Sequence, residues 1–401
     1  MTDPFAPFEV GRLPRITFGA GRLAEVPRIV ATHGRHVLVV IGQRSFRATP
    51  RFAELLDGLR SVGSSVEELV VEGEPSPDLV DSAVSSFRGT GVDVVLGVGG
   101  GSVLDAAKAI AGLLRAGTSA LDHIEGVGRG LAYEGPPTPF IAVPTTAGTG
   151  SEATRNAVLS RRGPDGFKKS FRDERLVARE AVVDPDLLAG LPPRLIADNG
   201  MDALAQLIES FTSTRASPFT DGIARAGLEA ARVGLVPWWV AAAAGDDDPS
   251  GRASMAFAAL ASGIALAHTG LGSVHGLASP LGAGFPIGHG AACGATLVAA
   301  TRVNLDALAE RDPDGAGLAR YADAGRIVAA RRELDDPAAR RALVETLESW
   351  AERLGITGLG RHGVREADIP ALVAEAGGTS MRTNPIVLTE TEVERILRAS
   401  L

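Results

Sequence analysis

The hydrophobic positions in the first half of the chain fall into short apolar runs separated by amphipathic stretches. Four runs have the length and composition of strands: 36–41, 65–71, 92–98 and 139–143. Three stretches between them have helical periodicity: 49–63, 77–89 and 102–114. The runs 92–98 and 139–143 are almost entirely apolar, which is typical of strands buried on both faces. Strands that alternate with helices over short connections predict a parallel sheet covered by helices.

The pattern changes after Leu191-Pro192-Pro193, where long stretches with helical periodicity replace the apolar runs. The clearest of these stretches are 221–233, 253–267, 338–354 and 391–400. Polar turns are predicted at 245–251 and 311–317. The proline pair indicates a boundary between two domains. We expect an α/β domain in residues 1–191 and an all-helical domain in residues 192–401.

The composition is that of a folded protein and excludes several other classes. Of 401 residues, 45% are hydrophobic and 22% are charged, which excludes wholesale disorder. The formal charge is −8, and an acidic excess disfavours a nucleic-acid surface, which needs clustered Lys and Arg. Cys293 is the single cysteine, so neither an intrachain disulfide nor a thiolate metal cluster can form.

Targeting and membrane segments are not predicted. The stretch Met1-Thr2-Asp3-Pro4-Phe5 lacks the basic start and apolar run of a signal peptide. The longest apolar stretches are interrupted by glycine or charge before they reach the roughly 20 residues that span a bilayer. We therefore expect a cytoplasmic globular protein with no nucleic-acid and no membrane partner.

A triple glycine follows the buried run 92–98. Gly99-Gly100-Gly101-Ser102 leads directly into a predicted helix that carries Asp105 and Lys108. Glycines allow backbone N–H groups to approach a ligand closely, and a helix N-terminus offers unpaired donors and a positive dipole end. Both features suit a pyrophosphate. A tight turn without a ligand is the alternative for this segment alone.

A second loop of small and hydroxyl-bearing residues follows the run 139–143. Pro144 to Glu152 contains three threonines, two glycines and Ser151. The carboxyl ends of parallel strands are where such sheets bind ligands, so two loops of this type favour a ligand site. The alternative is a helix cap formed by Ser151 and Glu152.

Candidate metal ligands lie in the helical half. Asp202 and Gln206 are four residues apart, on one face of a predicted helix. Three of the seven histidines, His268, His275 and His289, fall within a nearly charge-free stretch. Carboxylate and neutral imidazole suit Fe²⁺ or Zn²⁺, so the cluster favours a divalent metal site. Lone histidines on apolar faces are usually core residues, and that alternative stays open here.

Taken together, these segments resemble the iron-containing (group III) alcohol dehydrogenase family over essentially the whole chain. Four motifs carry the resemblance, in order: Gly99–Ser102 with Asp105 and Lys108, Pro144–Glu152, Gly200–Ala203, and Val274–Gly282 with His289-Gly290. The resemblance implies a dehydroquinate-synthase-like fold, in which a Rossmann-like nucleotide-binding α/β domain precedes a helical domain. It also places the active site in the cleft between the two.

The resemblance further implies which residues bind an NAD(P) cofactor. The triple-glycine loop would hold the pyrophosphate, and hydroxyl and polar side chains would continue the site. The residues so implied are Gly99, Gly100, Gly101, Ser102, Asp105, Thr145, Thr146, Thr149, Asn156 and Lys168. Lys168 is one of only three lysines in the chain, with Lys108 and Lys169.

The choice between NAD and NADP is argued from the loop that follows the run 36–41. Gly42-Gln43-Arg44-Ser45 contains no acidic residue to hydrogen-bond the adenosine ribose and repel a 2′-phosphate. Arg44 could pair with that phosphate. We therefore expect Gly42, Arg44 and Ser45 to contact the cofactor, and NADPH to be preferred slightly over NADH.

In the family, one aspartate and three histidines hold the metal ion. Asp202, His275 and His289 match three of these positions, whereas Gln206 stands at the fourth and is the expected fourth ligand. Ser279 replaces a further histidine that the family commonly has four residues after the His275 position. His268 lies seven residues before His275, on the same face if the helix is continuous, and could compensate as a catalytic group.

The expected function is an NAD(P)-dependent, metal-assisted oxidoreductase that interconverts an alcohol and an aldehyde or ketone, with carbonyl reduction as the favoured direction. The metal ion would polarise the substrate oxygen. A maleylacetate-reductase-like enzyme, which reduces a carbon–carbon double bond, is one alternative. A catalytically inactive nucleotide-binding protein is another. The resemblance also suggests a homodimer or larger homo-oligomer.

Overall fold

The computed structural model describes residues 7–162 and 166–401. The stretch Met1–Phe5, on which the expected absence of a signal peptide rests, lies outside the described residues. The chain forms two compact units, one of residues Gly11–Ala189 and one that contains Gly190–Leu401. The domain limits 1–191 and 192–401 stay a prediction.

The first unit is built on a six-stranded sheet. Its strands are β1 (Arg15–Phe18), β2 (His36–Gly42), β3 (Ser65–Val71), β4 (Val94–Gly99), β5 (Phe140–Pro144) and β8 (Glu180–Val183). They lie in the order β1-β8-β5-β4-β2-β3, and every neighbouring pair is parallel. The predicted parallel α/β sheet is confirmed.

Two layers of helices cover this sheet. The helices are α1 (Val26–Ala31), α2 (Pro50–Ser61), α3 (Pro77–Phe87) and α4 (Gly101–Ala116). Alternate residues of β2 face opposite sides: Val39 packs into a core with Leu59 of α2, and Val40 packs into a core with Ile110 of α4. Burial on both sides explains why the central strands have continuous apolar runs rather than alternating ones.

The strand order reverses between β2 and β4. The chain passes from β2 to β3 on one side, then returns to β4 on the other side of β2. Connections that leave in opposite directions open a crevice at the carboxyl ends of the two strands, which is where open α/β sheets bind ligands. The loops after β2 and β4 begin at Gly42 and Gly99, so both predicted cofactor loops start at this crevice.

Four strands were not predicted. β1 and β8 have only four residues each, and β6 (Asn156–Arg161) and β7 (Phe167–Arg172) form a separate antiparallel hairpin. Short strands give too few positions for a clear pattern. The hairpin has charged residues at both faces of β7, so neither continuous nor alternating hydrophobicity marks it.

The second unit is helical, and all eight strands of the described chain precede it. Its helices are α5 (Pro193–Thr212), α6 (Pro218–Ala243), α7 (Pro249–Thr269), α8 (Ser273–Gly284), α9 (His289–Arg311), α10 (Ala316–Val328), α11 (Asp336–Arg353), α12 (Ile369–Glu375) and α13 (Glu390–Ala399). The predicted helical half is confirmed. The predicted turns 245–251 and 311–317 are shorter than expected, because α7 already starts at Pro249 and α10 at Ala316.

Helix α5 is the central helix of this unit, and every residue from Gly200 to Thr212 is buried. Helix α7 is long and apolar enough to cross a membrane by length and composition, but 72% of its apolar window is buried inside the protein. That pattern is typical of a core helix. A polar side chain on α5 must find its partners within the unit, because burying it unpaired would cost several kcal/mol.

Candidate functional site

Two of the predicted cofactor loops lie side by side at the carboxyl edge of the sheet. β4 and β5 are neighbours, with Gly99 paired to Pro144, and the N–H of Thr145 donates to the carbonyl of Gly99 at 3.0 Å. A Cβ on Gly100 would lie 3.1 Å from Thr146. The triple-glycine loop and the threonine loop therefore form one continuous surface.

In the triple-glycine loop, glycine is required by space rather than by backbone angle. A Cβ on Gly101 would lie 2.8 Å from the Thr149 side chain, and one on Gly99 would lie 2.6 Å from Val103. Helix α4 starts after Gly100 without a side-chain cap, so its first N–H groups remain available as donors. The predicted pyrophosphate site, which includes Ser102 in the first turn of α4, has the backbone that an anion needs.

Asp105 and Lys108 bind the chain segment from Ser151 to Asn156, which follows the threonine loop. The Nζ of Lys108 lies within hydrogen-bond distance of four acceptors, including the Ser151 carbonyl at 2.8 Å and the Asn156 carbonyl at 2.6 Å. The Ser151 hydroxyl donates to Asp105 at 2.6 Å. Lys108 is fully buried, and burial lowers its pKa to about 8. These contacts fix Ser151 and the start of β6 to α4. Contact of Asn156 with a cofactor stays a prediction.

The remaining predicted cofactor residues differ in their contacts with the rest of the protein and in their exposure. Lys168 forms an ion pair with Glu74, so its ammonium group already has a carboxylate partner. Gly42 ends β2, and a Cβ there would lie 3.6 Å from Val103, close to the triple-glycine loop. Arg44 and Ser45 follow and are exposed. Their contact with a cofactor stays a prediction.

In the helical unit, three predicted metal ligands meet. Asp202 lies on α5, His275 in the first turn of α8, and His289 at the first residue of α9. The Oδ1 of Asp202 is 3.2 Å from His275 Nε2 and 3.7 Å from His289 Nε2. Asp202 and His275 are buried, whereas the His289 side chain is 28% exposed. The cluster is therefore open on the His289 side.

Cys293 joins this cluster and was not among the predicted ligands. Its Sγ is 3.7 Å from His275 Nε2 and 3.9 Å from His289 Nε2. One donor atom from each of Asp202, His275, His289 and Cys293 lies within 4.8 Å of every other. The sequence signal was present, because Cys293 follows His289 by four residues on one face of α9.

Glu209 is a second group that the sequence analysis missed. Its Oε2 accepts a hydrogen bond from His275 Nδ1 at 2.6 Å, and its Oε1 accepts one from the N–H of Val274 at 2.7 Å. Since Val274 lies in the first turn of α8, the carboxylate both caps the helix and orients the imidazole. Glu209 lies seven residues after Asp202, which places both on one face of α5.

Gln206 is held within the same face of α5. Its Nε2 donates to Asp202 Oδ1 at 3.1 Å, and its Oε1 lies 2.6 Å from the Ser262 hydroxyl, which donates to it. The amide oxygen is thus directed to Ser262 of α7. The role of Gln206 as a metal ligand stays a prediction.

The structure does not bring His268 to the described metal cluster. The condition for a shared face, a continuous helix from His268 to His275, is not met, because α7 ends at Thr269 and Gly270 has a φ of 70° that few other residues adopt. His268 Nδ1 lies 2.7 Å from the Ile264 carbonyl, and its ring packs edge-on against Phe219. A catalytic role for His268 stays a prediction.

Close helix packing brings α9 to the cluster. A Cβ on Gly290 would lie 2.3 Å from the backbone carbonyl of Asp198 on α5. Only glycine therefore allows the first turn of α9 to lie directly on α5. This close packing places His289 beside Asp202. It also explains why the residue after His289 is a glycine.

The cluster concentrates negative charge in a buried place. Burial would raise the pKa of Asp202, but His289 and His275 lower it below its usual value. Burial would lower the pKa of His275, but Glu209 and Asp202 raise it well above its usual value. Burial raises the pKa of the Cys293 thiol to about 12. Carboxylates, imidazoles and a thiol in this arrangement fit a divalent cation, which would balance the two buried carboxylates.

Two family models together match most of the chain. Models for "Iron-containing alcohol dehydrogenase" and "Fe-containing alcohol dehydrogenase family, C-terminal" match residues 14–185 and 196–401. The chain is 30% identical to the NAD-dependent methanol dehydrogenase of Bacillus methanolicus over 100% of both chains. It is 31% identical to long-chain-alcohol dehydrogenase 1 of Geobacillus thermodenitrificans, over 94% of this chain and 92% of that one.

Comparison with solved structures supports the same family. A crystal structure of 1,3-propanediol oxidoreductase superposes with a TM-score of 0.89 at 27% identity, covering 99% of this chain and 100% of that one. The chain belongs to the iron-containing alcohol dehydrogenase family, as the sequence motifs predicted. Membership implies an alcohol oxidoreductase with a divalent metal ion and an NAD-type cofactor. The glycine- and threonine-lined sheet edge and the Asp202 cluster have the chemistry that these two groups need.

Proposed function

We propose that this protein is an NAD(P)-dependent, metal-assisted dehydrogenase that interconverts an alcohol and an aldehyde or ketone, with carbonyl reduction as the favoured direction at neutral pH. Reduction consumes a proton, so lower pH favours it. The observation that carries the proposal is the convergence of Asp202, His275 and His289 within 4.8 Å in a member of this family. A bound divalent ion supplies Lewis acidity, and the nicotinamide supplies or accepts a hydride.

The residues of the sheet edge bind and orient the cofactor in this proposal. Gly99, Gly100 and Gly101 expose backbone donors to the pyrophosphate, and Thr146 and Thr149 line the same surface. The absence of a side-chain cap on α4 supports this role, because the helix then keeps donors for an anion. Arg44 supports a slight preference for NADPH, since its exposed guanidinium follows β2 at the strand-order reversal.

The residues of the α5–α8–α9 cluster hold the metal ion. Glu209 fixes the His275 ring so that Nε2, rather than Nδ1, faces Asp202. The exposed fraction of His289, 28%, supports access of a small molecule from that side. The cytoplasmic location and the homo-oligomeric state stay predictions.

The test is a turnover assay coupled to metal analysis. We expect purified protein to contain about one divalent ion per chain and to oxidise NADPH or NADH in the presence of aldehydes or ketones. Removal of the ion by a chelator should abolish turnover, and adding it back should restore turnover. Asp202→Asn is the matched variant that should lose both the ion and turnover.

Other outcomes would overturn the proposal. Turnover that survives complete removal of the ion would contradict the metal-assisted reaction. Cofactor binding without turnover on any carbonyl would indicate an inactive nucleotide-binding protein. Turnover confined to a carbon–carbon double bond conjugated to a carboxylate would indicate a maleylacetate-reductase-like enzyme.

A further inference from the structure

We propose that Cys293, rather than Gln206, is the fourth protein ligand of the divalent metal ion, and that the resulting donor set favours Zn²⁺ over Fe²⁺. This inference rests on the proposed function, because it concerns the same metal ion. It goes further by naming a ligand that the family pattern of one aspartate and three histidines does not contain.

The distances between donor atoms carry the first step. Metal–nitrogen and metal–oxygen bonds of about 2.1 Å, with a metal–sulfur bond of about 2.3 Å, place nitrogen and oxygen about 3.4 Å apart and nitrogen and sulfur about 3.6 Å apart around a tetrahedral ion. The two nitrogen–oxygen distances from Asp202 are 3.2 and 3.7 Å. The two nitrogen–sulfur distances from Cys293 are 3.7 and 3.9 Å. Four of the six distances between these donor atoms therefore match a tetrahedral site, and the other two are at most 4.8 Å.

The second step concerns Gln206. Its amide presents Nε2 to Asp202, and its oxygen lies 2.6 Å from the Ser262 hydroxyl. A donor N–H cannot bind a cation, so this orientation makes Gln206 a hydrogen-bond donor to the Asp202 carboxylate. Gln206 then acts as a positioning residue. Cys293, on α9, then supplies the donor that the family's histidine would supply.

The third step concerns the choice of metal. Thiolate is a soft ligand, and a mixed set of sulfur, nitrogen and oxygen in tetrahedral geometry is typical of zinc. Removing one imidazole and adding one thiolate moves the donor set away from harder cations. Four protein donors do not prevent catalysis, because zinc expands from four to five ligands during reactions. Cys293 has no solvent exposure, which protects the thiolate from oxidation.

The experiment measures metal coordination directly and does not depend on activity. The full-length protein, loaded with Zn²⁺, is examined by zinc X-ray absorption, together with Cys293→Ser and Gln206→Leu. We expect one sulfur neighbour at about 2.3 Å in the wild type and in Gln206→Leu, and none in Cys293→Ser. The Co²⁺-loaded proteins should show a thiolate-to-metal charge-transfer band with the same pattern.

Affinity gives a second readout. Zn²⁺ affinity, measured by competition with a chromogenic chelator, should fall more than about 100-fold in Cys293→Ser, which exceeds the 10–100-fold effect of losing an outer hydrogen-bond partner. The affinity for Fe²⁺, measured by competition under anaerobic conditions, should fall less, so the preference for Zn²⁺ should shrink. Thermal unfolding of the metal-free variants checks that each one folds.

The outcomes separate this inference from the proposed function. A wild-type zinc site without a sulfur neighbour, or one that Gln206→Leu weakens more than Cys293→Ser does, would overturn the Cys293 assignment and leave the metal-assisted dehydrogenase standing. Tighter wild-type binding of Fe²⁺ than of Zn²⁺ would overturn the metal preference. Equal metal binding by the wild type and Asp202→Asn would contradict the metal site itself, and with it the proposed function.

Discussion

Glu209 and His275 are joined by a hydrogen bond of 2.6 Å between Oε2 and Nδ1, and the other oxygen of Glu209 caps the helix that carries His275. One buried carboxylate therefore fixes both the backbone and the ring of a candidate metal ligand. Because the carboxylate accepts from Nδ1, the ring presents Nε2 to Asp202, at 3.2 Å.

This relationship predicts the effect of Glu209→Gln. The glutamine side chain has the same size, but its NH2 group cannot accept a hydrogen bond. Either the bond from the Val274 N–H or the bond from His275 Nδ1 is therefore lost. We expect metal affinity to fall about 10–100-fold, as for other outer partners of metal-bound histidines. Metal competition assays measure this. Glu345→Gln, at an exposed position of α11, should leave affinity unchanged; an equal loss in both variants would contradict the positioning role.

The packing of α9 on α5 predicts the effect of Gly290→Ala. The added Cβ would lie 2.3 Å from the Asp198 carbonyl, so α9 must move away and carry His289 from Asp202. We expect a destabilisation of about 1–3 kcal/mol, typical of overpacking, with weaker metal binding. Gly288→Ala is the matched control, because a Cβ there meets nothing within 4 Å. Similar melting temperatures for the two variants would show that α9 tolerates the shift.

Much of the fold could be predicted from the sequence because the central strands are buried on both faces. The central strands β2, β4 and β5 were predicted to within two residues at each end, and the predicted limits of the edge strand β3, 65–71, match the structure. The strands β1 and β8 could not be predicted, since four residues carry no resolvable period. The end of α7 at Thr269 lies two residues after the end of the predicted helix 253–267, but the sequence left open whether the helix continues to His275.

The candidate site was predictable where residue type and family pattern agreed. Asp202, His275 and His289 meet as expected, whereas Glu209 and Cys293 were missed although each lies on the same helix face as a named ligand. The pattern of one aspartate and three histidines directed attention to Gln206. The orientation of the Gln206 amide depends on Ser262. Because Ser262 is 56 residues away, a local sequence pattern could not predict this contact.

The buried Lys108 predicts a stability effect that is separate from the metal site. Lys108→Met should leave buried carbonyl and hydroxyl groups of the Ser151–Asn156 segment without their donor, at a cost of about 3–5 kcal/mol. Cofactor affinity should also fall, since this segment adjoins the threonine loop. Thermal unfolding and cofactor titration measure the two effects. Lys169→Met, at an exposed lysine in β7, should change neither. A Lys108→Met protein as stable as the wild type would show that the hydrogen bonds of Lys108 to the Ser151–Asn156 segment do not stabilise the fold.

Glu152 predicts a pH dependence of stability. Burial raises its pKa from 4.5 to about 7, an effect that the neighbouring Lys108 only partly offsets. The folded state therefore holds this proton more tightly than the unfolded state. Its contribution is present below pH 4.5 and is lost as pH rises through 7, by at most about 3 kcal/mol. Glu152→Gln should flatten the fall in melting temperature between pH 5 and pH 7.5, whereas Glu54→Gln, at an exposed site, should not. An unchanged slope in Glu152→Gln would show that Glu152 is ionised in the folded protein.

Arg44 predicts the cofactor preference. It follows β2 at the point where the strand order reverses, and we expect its exposed side chain to pair with a 2′-phosphate. Arg44→Ala should lower kcat/KM for NADPH by about tenfold or more, equivalent to about 1.4 kcal/mol, and leave NADH nearly unchanged, because only NADPH carries the phosphate. Arg47→Ala is the matched control, since Arg47 pairs with Glu68 at 3.0 Å and should not affect either cofactor. A wild-type enzyme that uses NADH at least tenfold better than NADPH, or an Arg44→Ala variant that loses both equally, would contradict the predicted pairing.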